Sequence, residues 1–125
     1  LGASLFGVAV FRPEDVAQDV RRIARNVDYV APLIYPSHWG PGIFGISDPE
    51  SEPRRVIAES MKLFNEQVEG TGARVVPWLQ DFSLRVAYGP REVCAQIAGT
   101  EDTGVSEWIM WDANVTYTPA ACLRG

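Results

Sequence analysis

The sequence predicts an α/β domain in which parallel strands alternate with helices, and three features carry that prediction. Strand-like apolar runs recur near residues 4, 29, 74 and 107, with amphipathic helical patterns between them. The runs are apolar almost throughout, as expected of strands covered on both faces. Three of them also close on the same kinds of residue. YVAPLIYPSHW (29–39) ends in Tyr35, Ser37, His38 and Trp39; VVPWLQDF (75–82) ends in Trp78, Gln80 and Asp81; WIMWDAN (108–114) ends in Trp111, Asp112 and Asn114. Parallel α/β folds present their sites at the C-terminal ends of strands.

Taken in order, residues 3–11 (ASLFGVAVF) are rich in strand formers, with Gly7 marking a bend or an end. A helix is predicted from about Pro13 to Asn26. Pro13 suits a first turn, Glu14 and Asp15 its positive end, and Arg21, Arg22 and Arg25 its far end. Val16, Val20, Ile23, Ala24 and Val27 form its apolar stripe. The second strand runs to about Pro36. Residues 37–52 (SHWGPGIFGISDPESE) read as a long loop, of the length that is more often functional than idle. The clearest helix spans about Pro53 to Glu69, with Val56, Ile57, Ser60, Met61, Phe64 and Val68 on one face and Gly70 and Gly72 ending it. The third strand, about Ala73 to Phe82, contains Pro77, which lacks a ladder donor. A helix from Pro90 to about Thr100, facing inward with Val93, Cys94, Ile97 and Ala98, leads past Gly104 to a fourth strand over about Glu107 to Asp112.

Four βα units in series fit half of an eight-stranded (β/α)8 barrel, since four strands cannot close and would leave two edges unpaired. Residues 1–125 therefore read as a single segment of one domain. It begins at Leu1 with no signal-peptide pattern, so the expectation is a segment cut from a longer polypeptide, or one whose start is missing.

Composition narrows the function. With 46% hydrophobic and 22% charged residues the chain is globular. A net charge of -5, with no basic cluster beyond Arg21, Arg22 and Arg25, argues against nucleic acid. No apolar run reaches the roughly 18 residues of a membrane span. Cys94 and Cys122, with His38 as the one histidine, make no metal signature, and no metal or cofactor is expected. Cys94 falls on an apolar stripe and reads as a plain buried thiol.

YPSHW (35–39), PWLQDF (77–82), YGPREVCAQI (88–97) and WIMWDANVTY (108–117) together resemble the C-terminal part of a bacterial family described as glycoside hydrolase domains of unknown function. The resemblance runs from the first strand to Tyr117. It implies strands five to eight of a TIM-like barrel, a carbohydrate substrate, and a cell-envelope or extracellular location. It also implies a missing N-terminal half-barrel in the same chain, whose acidic strand motif has no counterpart here.

Glycoside hydrolysis needs two carboxyl groups across the scissile bond. Asp81 and Asp112 stand near the ends of strands that would be neighbours, so they are the catalytic candidates. The bland alternative makes both of them loop-capping aspartates. Trp39, Trp78 and Trp111 offer indole faces for sugar stacking or for core packing, with Trp39 placed in a polar loop and Trp108 deeper in its strand. Tyr35, His38 and Gln80 supply hydrogen bonds to a substrate. A nucleophilic Ser37 lacks the G-x-S-x-G elbow. The leading expectation is a glycosidase. A non-catalytic glycan-binding or scaffold barrel is the alternative, followed by a carbohydrate esterase or deacetylase.

Overall fold

The computed structural model describes residues 1–119 and Cys122. Its strands are β1 (Gly2–Phe6), β2 (Tyr29–Leu33), β3 (Arg74–Val75), β4 (Trp78–Gln80) and β5 (Ile109–Trp111). Its α-helices are α1 (Pro13–Val16), α2 (Val20–Ala24), α3 (Pro53–Val68) and α4 (Pro90–Glu101). All strand pairs are parallel, in the order β1-β2-β4-β5, with β3 also on β2.

β3 and β4 are the two ends of one predicted strand. Tyr29 pairs with Arg74 and Leu33 with Trp78, an offset of 45 residues in both cases, so no register is lost between them. The interruption is Pro77. Its carbonyl accepts from Ile109 N at 2.9 Å, so its donorless nitrogen also faces β5, at a level ahead of that strand's first residue. The proline thus costs a ladder bond only where there is little ladder.

The predicted helix over 13–26 is instead two short helices. Ala17 sits at φ 51, in the left-handed region that ends α1, and the Asp19 carboxylate accepts Arg22 N at 2.9 Å to start α2 afresh. Gln18 in the break accepts Phe6 N at 2.8 Å, tying the break to the end of β1. Local capping overrides periodicity, yet the predicted stripe of Val16, Val20, Ile23, Ala24 and Val27 still packs on the core. Arg21 serves a different helix: its guanidinium donates to the carbonyls of Gln67 and Glu69 and caps the end of α3. The loop over 37–52 holds three 3-10 turns, Pro36–His38, Ile43–Gly45 and Pro49–Ser51.

The helices cover one face of the sheet. Leu5, Val30, Val75 and Leu79 point into that layer, against Val56, Ile57, Met61 and Phe64 of α3 and Val93 and Ile97 of α4, all buried. α3 and α4 touch at backbone distance. A Cβ at Gly99 would lie 2.4 Å from the Arg54 carbonyl, and the Arg54 guanidinium forms a two-point pair with Asp102 at 2.8 Å on each arm.

The other face is open. Phe6, Leu33, Trp78 and Ile109 stand in one register row across the four strands, and Ser4 and Trp111 lie two residues away on the same side. Phe6 is 54% and Trp111 43% exposed. The structure therefore shows a parallel α/β sheet with one helical layer. Gly99→Ala is expected to force α3 from α4 and lower unfolding free energy by about 1–3 kcal/mol, whereas Gly40→Ala, whose Cβ meets nothing within 4 Å, leaves it unchanged. Chemical denaturation of the two variants reads the difference.

Candidate functional site

Ser4, Leu33, Tyr35, His38, Trp78 and Trp111 enclose a hollow of about 370 Å³ at the C-terminal ends of β2, β4 and β5. Four of the eight predicted site residues meet there. Trp78 and Trp111 stand edge to face, 6.1 Å between centroids and 88° between planes, and Trp78 Nε1 donates to Ser4 Oγ at 3.1 Å. Sharing that donor internally leaves the indole faces as the apolar part of the surface.

Tyr35 forms the rear wall, buried edge-on against His38 at 5.1 Å and Phe82 at 5.2 Å. Burial, and then the nearby Tyr117 phenol, push its hydroxyl well above the ordinary tyrosine range, so it remains a neutral donor. His38 is largely exposed, but the Tyr35 and Phe82 rings beside it desolvate the imidazole and lower its pKa below the ordinary 6.5. A neutral imidazole has one donor and one acceptor nitrogen, which suits vicinal hydroxyls.

Gln80 does not reach the hollow's surface. It is fully buried, with Oε1 accepting Ser37 N at 3.1 Å and Nε2 donating to Phe82 O at 2.9 Å. It locks the turn that carries His38 to the strand that carries Trp78. Its backbone is held in turn by Gln96 of α4, whose Oε1 accepts Gln80 N at 2.8 Å and whose Nε2 donates to Gln80 O at 2.7 Å. Sequence reasoning missed Gln96, although it lies at i+3 from Val93 on the inward face of α4.

Asp81 and Asp112 are likewise buried, 6% and 5% exposed, and line no part of the hollow. Thr118 N donates to Asp81 Oδ2 at 2.7 Å and its hydroxyl to Oδ1 at 2.5 Å; Thr116 N donates to Asp112 Oδ2 at 2.8 Å. Both aspartates therefore bind loop N–H groups, as the capping alternative foresaw. Asp81 has both oxygens engaged. Asp112 Oδ1 takes no hydrogen bond among the described residues. Val115 between the two threonines sits at φ 56, strained for a β-branched residue and held by its anchored neighbours.

Trp39, expected in a polar loop as a sugar-stacking candidate, turns its ring inward. It is only 9% exposed, packed against Phe11 at 5.8 Å and Phe44 at 5.9 Å, because the surrounding turns fold its ring onto the core. Cys94 corrects the expectation of a plain buried thiol. It is only partly buried and bonded to Cys122, with Cα atoms 5.7 Å apart, while the inward positions of α4 are Val93, Gln96, Ile97, Gly99 and Thr100. The one-residue rotation of that helix face carried Cys94 from stripe to rim. Trp108 packs against the core, as expected.

A buried carboxylate that sequence reasoning also missed lies outside the hollow. Glu50, 1% exposed, accepts Arg85 N, Arg85 Nε and Val86 N at 3.0–3.2 Å, and its carbonyl accepts the Tyr88 hydroxyl at 2.7 Å. It clamps the loop between β4 and α4. Among the described residues no group of three His, Cys, Asp or Glu side chains could hold a metal ion, and no helix is long and apolar enough to cross a membrane.

The class the structure defines is an α/β domain with a parallel sheet, with aromatic and hydroxyl groups gathered at its strand C-termini. Residues 1–117 match the family described as "putative glycosyl hydrolase domain", and the chain belongs to that family. No curated protein matches it.

Gln96→Leu leaves the Gln80 N–H and C=O without partners and is expected to cost about 1–3 kcal/mol for each. Gln96→Glu keeps an acceptor but buries a carboxylate against the Gln80 carbonyl, and at neutral pH is expected to cost at least as much as Leu, with the loss shrinking as the carboxyl is protonated at low pH. Denaturant midpoints of the three proteins rank the effect.

Proposed function

We propose that this domain is the C-terminal half, strands five to eight, of a (β/α)8 glycosidase that cleaves a polysaccharide or cell-envelope glycan. The observation that carries the reading is the Trp78–Trp111 hollow beside Tyr35 and His38, in a chain of a glycosyl hydrolase family. The open sheet face supports the missing half: the row Phe6, Leu33, Trp78 and Ile109 is what a barrel interior would bury, and β1 and β5 have free outer edges among the described residues.

In this reading the indoles stack on a pyranose and Tyr35 and His38 bind its hydroxyls. Asp112, with an oxygen still free, is the acid/base or substrate-orienting carboxylate, and Asp81 fixes the tail beside it through Thr118. Gln80 holds the turn bearing His38, and Trp39 supports its other side. A second carboxylate from the upstream half completes the pair.

The experiment compares the full-length polypeptide with its Asp112→Asn and Asp81→Asn variants by reducing-end release from cell-wall and storage glycans. Asp112→Asn is expected to lower kcat at least about a hundredfold with the fold intact by circular dichroism. Unchanged turnover removes Asp112 from the chemistry. The burial of Asp81 with both oxygens engaged favours a second reading, a glycan-binding barrel without hydrolysis, which predicts binding but no turnover by the wild type.

His38 gives a pH signature. Because its neutral form is the favoured one, affinity for glycan is expected to be constant from pH 8 to 7 and to fall as pH drops through a value below 6.5, where the added proton removes the acceptor. His38→Gln, which keeps a donor and an acceptor, should flatten that limb in isothermal titration.

A further inference from the structure

We infer that the site takes an unbranched, neutral saccharide chain of at least three units along a groove, rather than a single terminal sugar; this rests on the glycan reading above and specifies its substrate. The aromatic hollow is not isolated. A second hollow, of about 340 Å³, adjoins it through Leu33 and His38 and is walled by Phe6, Gly7, Val8 and Trp39. A third, of about 550 Å³, adjoins the second through Val8, His38 and Trp39 and continues past Phe11, Gly40 and Ile43. His38 borders all three. Each volume falls in the range of about 300–1,000 Å³ typical of small-ligand sites, so each is large enough for a sugar ring.

The placement suits a chain. The groove starts at the ends of β4 and β5, crosses the turn that follows β2 and reaches the loop that follows β1. It is an arc over one end of the sheet, the end where parallel α/β folds bind ligands. Apolar surfaces recur along it: Trp111, then Phe6, then Phe11, exposed by 43%, 54% and 44%. Polar groups lie between them: Ser4 and Tyr35 border the first hollow and His38 borders all three. Alternating flat apolar surface and hydroxyl-binding groups is the recognition pattern of a polymer that repeats the same two features.

Charge selects among polymers. Among the described residues none of the three hollows is lined by Asp or Glu, and the one arginine on them, Arg12, lies beside Asp15 at 3.2 Å. A single arginine next to a carboxylate is no basic cluster for a polyanion, so a neutral chain is the fitting occupant.

The test uses the full-length polypeptide with neutral cello-, chito- and malto-oligosaccharides from disaccharide to octasaccharide, and an oligogalacturonide ladder as the anionic arm. Turnover and affinity are both measured. In the wild type, kcat/KM and affinity should rise from disaccharide to trisaccharide on a neutral ladder. Gly40→Trp places an indole in the far hollow, where a Cβ meets nothing within 4 Å. By filling that hollow it should reduce the trisaccharide-to-disaccharide ratio by about tenfold, the scale of one lost ring contact. Phe11→Ala, checked by circular dichroism, should reduce the same ratio. Length-independent kcat/KM and affinity overturn the groove, as does a ratio untouched in both variants. Preference for the anionic ladder also overturns the neutral chain. Length-dependent binding without turnover keeps the groove and sinks the hydrolase reading; no glycan binding at all sinks both.

Discussion

After Leu33, β2 turns away while β4 runs on through Leu79 to Gln80 with no strand beside it on that side. The Gln80 N–H and C=O would then be buried and unmatched, which proteins do not tolerate cheaply. The primary amide of Gln96 takes the place of the departed strand, accepting from one group and donating to the other. With its backbone so held, Gln80 can spend its own amide on Ser37 N and Phe82 O, and those two bonds set His38 and the rear wall of the hollow. A side chain from α4 thus decides where the turn after β2 lies. The aromatic site is arranged around an amide that never reaches its surface.

The second constraint acts from the tail. Thr116 and Thr118 reach back to Asp112 and Asp81, so the segment after β5 is folded over the strand ends, bringing Tyr117 near Tyr35. Buried carboxylates are expensive unless matched by donors. The tail supplies those donors, and in exchange the aspartates fix a stretch that contains no helix or strand of its own. Left-handed Val115 shows that this fit is imposed on the backbone by its ends.

Much of this architecture was legible in the sequence because it depends on periodic burial. The face of α3 was read residue by residue, and the apolar runs located all the strands, with Pro77 flagged where the third divides. The gathering of Tyr35, His38, Trp78 and Trp111 followed from strand ends alone. What stayed hidden depends on single polar contacts between distant segments. Gln96 looks like an ordinary helical glutamine until Gln80, 16 residues earlier, is seen opposite it. Glu50 is one acid among several in a loop, and nothing local announces that Arg85 and Val86 will close on it. The burial of Trp39 stayed hidden because its immediate neighbours are polar in sequence, while Phe11 and Phe44, which cover it, come from the end of the first apolar run and from further along the same loop. The break at Ala17 likewise turns on capping by Asp19 and not on hydrophobic pattern.

The bond between Cys94 and Cys122 gives the site a dependence on its surroundings. It fastens the chain just beyond Thr118 to α4, so the donors to Asp81 and Asp112 are presented by a segment anchored at both ends. Such bonds persist in oxidising compartments and are reduced where glutathione and thioredoxin act. With two free thiols, the same hydrogen bonds must restrain a loose end against its conformational entropy. Loss of the bond would leave that segment held by its hydrogen bonds to Asp81 and Asp112.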